Sequence, residues 1–470
     1  MIVSWARARV ILGLSLPIVL VLLAQVLMSL VGIAMVSHLG DAAVAGIGIG
    51  SALLSMLVAV LFGIDAGVQA LVAQRIGAGS EHDAGTVLTD SLPIAAAAGL
   101  VLALAGRVAG PDLFRLITRD PDVMALGLSY LEAALPMLLF LGVLFAFSAY
   151  RNGAGTPRHA LLPVAVQLPC AALFSYLLIF GAAGLPRLGT AGAGLGLTLS
   201  ALVALTVHVL LALRIAPVPG FLRARPRWPG MRLILAIGLP VGLQQSLVYV
   251  GMAVFFAIVG VLGTAEVAAM NVVLTIMLLS ILPASGMGIA AATLVGSALG
   301  RGDVAEAKRW GWEAARLGAV ALLPFSLVVI AAPRSVLGLF VADQPTIDLA
   351  AAPLAVMALG MGIDAFGRIL GFAMRGAGAT RLVTAVAFAL QWGVQLPLVW
   401  LIGVALGFGL PGIAVIRLVL FATESAIMTI AWRSGFWGRG QSADGPARFT
   451  STAGRPDWDK GFARSACRRR

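Results

Sequence analysis

Charged residues are scarce in this chain of 470 residues. Lysine, arginine, aspartate and glutamate together make up 11% of the sequence, whereas hydrophobic residues make up 60% and the mean hydropathy is +1.02. So few polar groups cannot coat a soluble protein of this size. The composition therefore excludes a soluble globular fold and predicts an integral membrane protein.

Cysteine and histidine are also rare. Only Cys170 and Cys467 occur, one within an apolar run and one near the carboxyl terminus, so no disulfide is expected. The four histidines lack the spacing of metal ligands, and no metal centre or cofactor is expected. Gly-Ala-Gly motifs at 77–79, 153–155 and 376–378 do not precede Lys-Ser/Thr, so we interpret them as tight turns rather than phosphate-binding loops.

Apolar runs of about 20 residues or more, each enough to cross about 30 Å of hydrocarbon as a helix, recur along the chain. They predict an all-α integral membrane fold with about twelve transmembrane helices. The predicted spans are 10–36, 43–72, 87–109, 122–150, 160–184, 188–213, 233–260, 266–298, 312–335, 347–374, 380–406 and 410–432.

The chain repeats itself at an offset of 223 residues. This offset carries Pro17 onto Pro240, Gly63 onto Gly286, and the motif at 153–155 onto that at 376–378. Each half holds an even number of spans, so the repeat is parallel and predicts two six-helix lobes. The predicted divisions are an amino-terminal lobe at 1–214, a cytoplasmic linker at 215–231, a carboxyl-terminal lobe at 232–433, and a disordered cytoplasmic tail at 434–470.

The net charge of +12 follows the membrane topology. Most arginines fall in alternate loops, on the same side as both termini. Because excess basic residues mark the untranslocated side, both termini are predicted to be cytoplasmic. This pattern favours a multi-pass protein of a bacterial inner membrane over a nucleic-acid-binding protein.

Four segments carry a family resemblance. These are LPIVLVLLAQVLMSLVGIAMVSHLGDAAVAG at 16–46, ALVAQRIGAG at 70–79, YRNGAGTPR at 150–158 and AMRGAGATR at 373–381. Their order and repetition resemble the multidrug and toxic compound extrusion (MATE) transporters over about residues 10–432. The resemblance implies a V-shaped cleft between two lobes. It also implies alternating access, with export of organic cations or other amphipathic compounds against inward proton or sodium movement.

Acidic residues frequent in that family are partly missing here. Gly32 stands at the first-helix acidic position, Ser175 at that of the fifth helix and Val248 at that of the seventh. The tenth-helix acid is retained as Asp364, which lies eleven residues, or roughly 16 Å of helix, before Arg375. Ionisable groups at such depth usually mark a functional site, and Asp364 is the first candidate for cation coupling.

Two further charged residues are candidates for cation coupling or substrate binding. Arg368 follows Asp364 by four residues on the same helix face, so the two can form either a fixed salt bridge or one that a substrate or proton opens. Asp65 lies ten residues, or roughly 15 Å, before Arg75, and its repeat mate is Gly288. Asp65 either substitutes for the missing first-helix acid or is a buried acid satisfied by hydroxyl or backbone donors.

Other polar or aromatic residues within spans are candidates to line the cleft. Glu424 follows Arg417 by seven residues, and either acts in the site or pairs with Arg417 for helix packing. Trp392 is placed either to stack on an aromatic compound or to face lipid. The remaining candidates are Gln391, Gln395, Tyr249 and Gln245.

Secondary transport is the predicted function, by a monomer whose partners are a small-molecule substrate and membrane lipid. The chain contains no Walker-type loop, so an ATP-driven pump would need its nucleotide-binding domain on a partner. A flippase for a lipid-linked or anionic substrate is the main alternative, because Arg368 would suit an anion. A membrane-embedded enzyme would need clustered carboxylates, histidines or a nucleophile, and we expect the protein not to be an enzyme.

Overall fold

A computed structural model describes residues 4–223 and 225–438. The described chain is almost entirely helical and contains no strand. Ten helices and two bent helix pairs are long and apolar enough to cross a membrane, which confirms the predicted fold class. They are α1 (Trp5–Leu39), α2 (Asp41–Gly77), α3 (Glu81–Ile117), α4 (Pro121–Ala134 with Met137–Gly153), α5 (Pro157–Phe180), α6 (Thr190–Ile215), α7 (Trp228–Gly260), α8 (Thr264–Gly300), α9 (Val304–Ala331), α10 (Gln344–Leu359 with Met361–Gly376), α11 (Thr380–Ala405) and α12 (Gly409–Ser434).

The fourth and tenth spans are bent, although the sequence predicts each as one continuous run. The two parts of α4 meet at 47°, next to Pro136, and those of α10 meet at 51°, around Gly360. Proline and glycine at these points explain both bends, because neither supports a regular helix. Asp120 and its repeat mate Asp343 cap the two spans, accepting hydrogen bonds from backbone N–H groups at 2.9 and 3.1 Å.

The ends of the second lobe differ from the predicted divisions. The seventh span begins at Trp228, so residues 228–231 belong to this helix rather than to the linker. Beyond the end of α12, Trp437 is buried and stacks on Trp432 with ring centroids 4.1 Å apart. Residues 434–438 are therefore ordered against the lobe, and the rest of the predicted tail, with Cys467, lies outside the described residues.

Both ends of the bundle lie at one membrane face, which we name the terminal face. An ion pair of 3.3 Å joins Arg7 at the start of α1 to Glu313 on α9. The same helix contacts the end of α12, because Lys308 Nζ donates to the carbonyl oxygen of Arg433 at 3.2 Å. The opposite face is named the distal face.

The two lobes meet along a seam that follows the internal repeat. A Cβ atom on Gly77 would collide with the backbone of Ser297, and one on Gly300 would collide with the backbone of Gln74. These two contacts exchange under the 223-residue offset, so the lobes are related by a twofold axis along the membrane normal. Only glycine allows backbones to approach so closely.

Polar contacts reinforce the seam. The side chain of Gln69 on α2 donates from Nε2 to the carbonyl oxygen of Ile289 at 2.8 Å and to Thr293 Oγ1 at 3.0 Å. Thr293 Oγ1 in turn donates to the carbonyl oxygen of Asn152 at 3.0 Å. These bonds tie α2 and α4 of the first lobe to α8 of the second.

The seam ends near the middle of the bundle. A hydrogen bond of 3.2 Å from Ser246 Oγ on α7 to the carbonyl oxygen of Met56 on α2 joins the lobes at this level. None of residues 19–35 of α1, all of them described, is buried, and Val19 at the start of this stretch still reaches Gly286 of the second lobe. The inter-lobe contacts named here therefore lie between the terminal face and the middle of the bundle.

Candidate functional site

Five charged side chains meet inside the second lobe. Asp364, Arg368 and Arg375 lie on one face of α10, since spacings of four and eleven residues return to the same side of a helix. Arg417 and Glu424 lie two turns apart on α12. The two helices pack where Gly367 admits the backbone of Ser425, which places these charged faces against each other, and we name the five residues the charge cluster.

One close ion pair forms within the charge cluster. Arg368 Nη2 donates to both carboxylate oxygens of Asp364 at 2.9 Å, and Arg368 Nε donates to one of them at 3.2 Å. The side chain of Asp364 is 8% exposed and that of Arg368 is 32% exposed. The carboxylate is therefore buried, whereas the guanidinium that pairs with it is partly accessible. A salt bridge with one accessible partner can open.

The predicted ion pair between Arg417 and Glu424 is not formed. Seven residues separate the two charged side chains by roughly 10 Å of helix. Arg417 instead lies over the ring of Phe421, one turn along α12, at 5.4 Å from the ring centroid. Glu424 makes no hydrogen bond or close ion pair with any described residue. It instead interacts electrostatically with all four other members of the charge cluster.

The charge cluster connects to α7 through Gln244. Arg375 Nη2 donates to Gln244 Oε1 at 3.1 Å, and Thr384 Oγ1 on α11 donates to the same oxygen at 3.3 Å. Neither Gln244 nor Arg375 is among the candidates that the sequence alone indicates. The spacing of eleven residues from Asp364 was the signal that could have identified Arg375.

A groove of about 370 Å³ lies between α7 and α11. Gln391 and Trp392, two of the predicted cleft-lining residues, line it from a π-helical stretch of α11, Ala389–Gln395. Such wide turns are frequent at functional sites. The full lining is Pro240, Leu243, Gln244, Leu247, Arg381, Thr384, Ala385, Phe388, Gln391 and Trp392.

The other four predicted cleft-lining residues are absent from the lining of this groove, and one of them, Glu424, belongs to the charge cluster. The remaining three are Tyr249, Gln245 and Gln395. Tyr249 is 41% exposed, and Gln245 and Gln395 are half-buried. None of the three forms a side-chain hydrogen bond with a described residue.

The first lobe holds one candidate at comparable depth, Asp65 on α2. Its side chain is half-buried and makes no hydrogen bond or ion pair with any described residue. The reading in which hydroxyl or backbone donors satisfy this acid is therefore wrong for the described structure. Its repeat mate Gly288 packs against the ring of Phe372, which leaves no room for a side chain at that position of the second lobe.

The remaining acid of interest is peripheral. Glu132 on α4 is 47% exposed at its side chain and lies 3.8 Å from Arg107. Across residues 4–223 and 225–438, no three histidine, cysteine or acidic side chains converge as a metal site would require.

The described residues form up to twelve spans in two repeat-related lobes, with charged side chains inside the second lobe. Such parallel repeats are an arrangement found in membrane transporters. The MatE family model matches residues 17–177 and again 240–401. The two matches begin 223 residues apart, which confirms the repeat. The chain belongs to the MATE transporter family, as the sequence motifs indicate.

Several named proteins are similar over most of their length. A probable multidrug resistance protein NorM from Bradyrhizobium diazoefficiens is 30% identical, covering 86% of this chain and 88% of the relative. One from Pseudomonas putida is 31% identical, covering 86% and 89%. The similarity therefore extends over most of the length of both proteins in each comparison.

Solved structures show the same fold at low sequence identity. A MATE transporter in complex with the ligand MaL6 has a TM-score of 0.85 at 19% identity, covering 92% of this chain and 97% of that one. A transporter of the MOP superfamily from Pyrococcus furiosus, described as having a binding pocket of reversed polarity, has a TM-score of 0.83 at 18% identity, covering 91% and 95%.

Proposed function

We propose that this protein is a multidrug efflux transporter that exports organic cations or other amphipathic compounds in exchange for inward-moving protons or sodium ions. The relatives named as multidrug resistance proteins support the substrate class. One structural observation carries the proposal: both lobes hold carboxylates at membrane depth, and the inter-lobe contacts described above lie in the terminal half.

The seam is the element that alternates. With both termini cytoplasmic, the terminal face is the cytoplasmic face, and the structure corresponds to a state open to the outside. Access from the cytoplasm requires the seam to part along the contacts of Gly77, Gln69 and their neighbours, each of which joins two otherwise separate bundles. Opening therefore breaks interactions between lobes and leaves the packing within each lobe intact.

The Asp364–Arg368 bridge supplies the switch of the second lobe. Protonation or sodium binding at Asp364 removes the charge that holds Arg368, and Glu424 offers that guanidinium a second partner within electrostatic range. A cationic substrate competes for the same negative charge. Such reciprocal competition for one site is what couples two fluxes.

Asp65 supplies the corresponding acid of the first lobe. No described basic group pairs with it, and an unpaired carboxylate at membrane depth is costly. Binding a proton or a sodium ion relieves that cost. Asp65 thereby fills the role that the missing acid at Gly32 has in other members of the family.

The test is efflux of a fluorescent lipophilic cation from energised cells that lack their own pumps. Wild type should lower dye retention. Collapsing one of the two gradients, proton or sodium, should abolish the effect, and collapsing the other should not. Asp364→Asn should abolish efflux, and Asp65→Asn should reduce it at least about tenfold, at unchanged expression. Glu132→Gln, which removes an exposed acid of similar size, is the matched control and should be silent. Full efflux by Asp364→Asn would overturn the coupling assignment.

A further inference from the structure

We infer that the second lobe binds amphiphiles that bear an acidic group, with an aromatic body in the groove between α7 and α11 and a carboxylate, sulfonate or phosphate held beside Arg375. This inference deepens the proposed function, because it names a substrate class for the same transporter. It rests on the chemistry of the groove wall, the donors that reach it and the charge behind it.

The groove wall suits a flat apolar body. Leu243 and Leu247 of α7 face Phe388 of α11 across the groove. Phe388 and Trp392 stack with ring centroids 6.3 Å apart and planes 24° apart, forming a continuous aromatic surface. Aromatic rings prefer this offset stacked arrangement, and a planar substrate extends it.

The polar groups of the groove are mostly donors. Arg381, its one charged lining residue, is exposed and makes no hydrogen bond or ion pair with any described residue. Trp392 Nε1 is buried without an acceptor. No acidic side chain lines the groove, so a purely cationic ligand finds no counter-charge there, whereas a ligand with an acidic group finds the exposed, unpaired guanidinium of Arg381.

The position for the acidic group is marked by Gln244 Oε1. This oxygen belongs to a residue of the groove wall and accepts from two donors, Arg375 Nη2 at 3.1 Å and Thr384 Oγ1 at 3.3 Å. A ligand oxygen that enters from the groove and displaces the amide reaches the same two donors. An anionic oxygen binds a guanidinium more strongly than a neutral amide oxygen does, so the exchange is favourable.

The charge behind Gln244 also favours an anion. The charge cluster contains three arginines, Arg368, Arg375 and Arg417, against two acids, Asp364 and Glu424. Its balance is therefore one positive charge, and Arg375 has no close ion-pair partner among the described residues. One acidic group of a ligand brings the net charge of the cluster to zero, and this is favourable because an uncompensated charge is costly in a low-dielectric interior.

The test uses two dyes that differ only at the acidic group: rhodamine B, which carries a free carboxylate, and its ethyl ester. Binding to the full chain in nanodiscs of neutral lipid is followed by fluorescence polarisation. Wild type should bind the acid about tenfold more tightly than the ester, the value of one charge-assisted hydrogen bond. Arg381→Gln and Arg375→Gln should each remove that preference without weakening the ester. Arg107→Gln, on an exposed arginine of the first lobe, should retain it.

The outcomes separate this inference from the proposed function. Equal affinity for acid and ester, or a preference that survives both arginine variants, overturns the inference, even if gradient-driven efflux of the ester proceeds. Should Arg375→Gln fail to fold, the exposed position of Arg381 still allows the comparison. A copurifying phospholipid that blocks the dye in wild type and is lost in Arg381→Gln would also overturn it, because the groove would then be a lipid site.

Discussion

The seam glycines give the sharpest test of alternating access, through Gly77→Ala combined with its repeat mate Gly300→Ala. A Cβ atom at Gly77 would lie 2.7 Å from the carbonyl carbon of Ser297. Ordinary van der Waals contact begins at 3.4 Å, so the lobes must withdraw there by at least 0.7 Å (3.4 − 2.7). Overpacking of this kind costs about 1–3 kcal/mol. The cost falls only on the state in which the terminal face is sealed, because the collision is between lobes.

An effect of that size shifts the conformational equilibrium by about 5- to 150-fold. The assay is the distance between spin labels on Glu81→Cys and Val304→Cys, exposed repeat mates at the terminal face, in a chain whose two native cysteines are replaced. The double glycine variant should gain a population at longer distance. Gly32→Ala, where a Cβ atom meets nothing within 4 Å, should match wild type. Unchanged distances in a folded glycine variant would refute the assignment of the seam as the moving element.

Two further predictions concern stability. Asp364→Asn leaves Arg368 half-buried without its partner and should lower the free energy of unfolding by about 2 kcal/mol. Replacing both residues with leucine should lower it by less. Thermal melts in detergent compare the two variants, and the reverse order would contradict a stabilising bridge. Trp437→Ala removes a buried stacked ring and should lower the free energy of unfolding by about 3 kcal/mol in the same melts. Trp5→Ala, at a residue that is 72% exposed, is the control and should have little effect. Equal effects would show that the segment after α12 does not pack on the lobe.

The sequence predicted much of the architecture because its determinants are local or repeated. Apolar runs located all the spans, with ends that differ from the helix ends by up to eight residues, and the 223-residue offset predicted the two repeat-related lobes. The Asp364–Arg368 bridge also followed from spacing, since residues four apart on a helix lie on the same face.

Contacts between helices were less accessible to sequence reasoning. Arg375 joins Gln244 because α10, α7 and α11 converge, which no spacing along one helix shows. Of the two alternatives for Glu424, the ion pair with Arg417 is not formed among the described residues, and Arg417 instead lies over the ring of Phe421. The sequence likewise did not predict the bend at Gly360, since the hydropathy of the tenth span is averaged over residues on both sides of it.

The most direct test of cation-coupled export is transport by the purified protein in proteoliposomes under imposed gradients. Vesicles receive a proton gradient or a sodium gradient separately, and uptake of the lipophilic cation is compared for wild type, Asp65→Asn and Asp364→Asn. The account predicts that one of the two gradients drives uptake in wild type and that neither drives it in Asp364→Asn. Uptake that ignores both gradients, or that persists in Asp364→Asn, would contradict it.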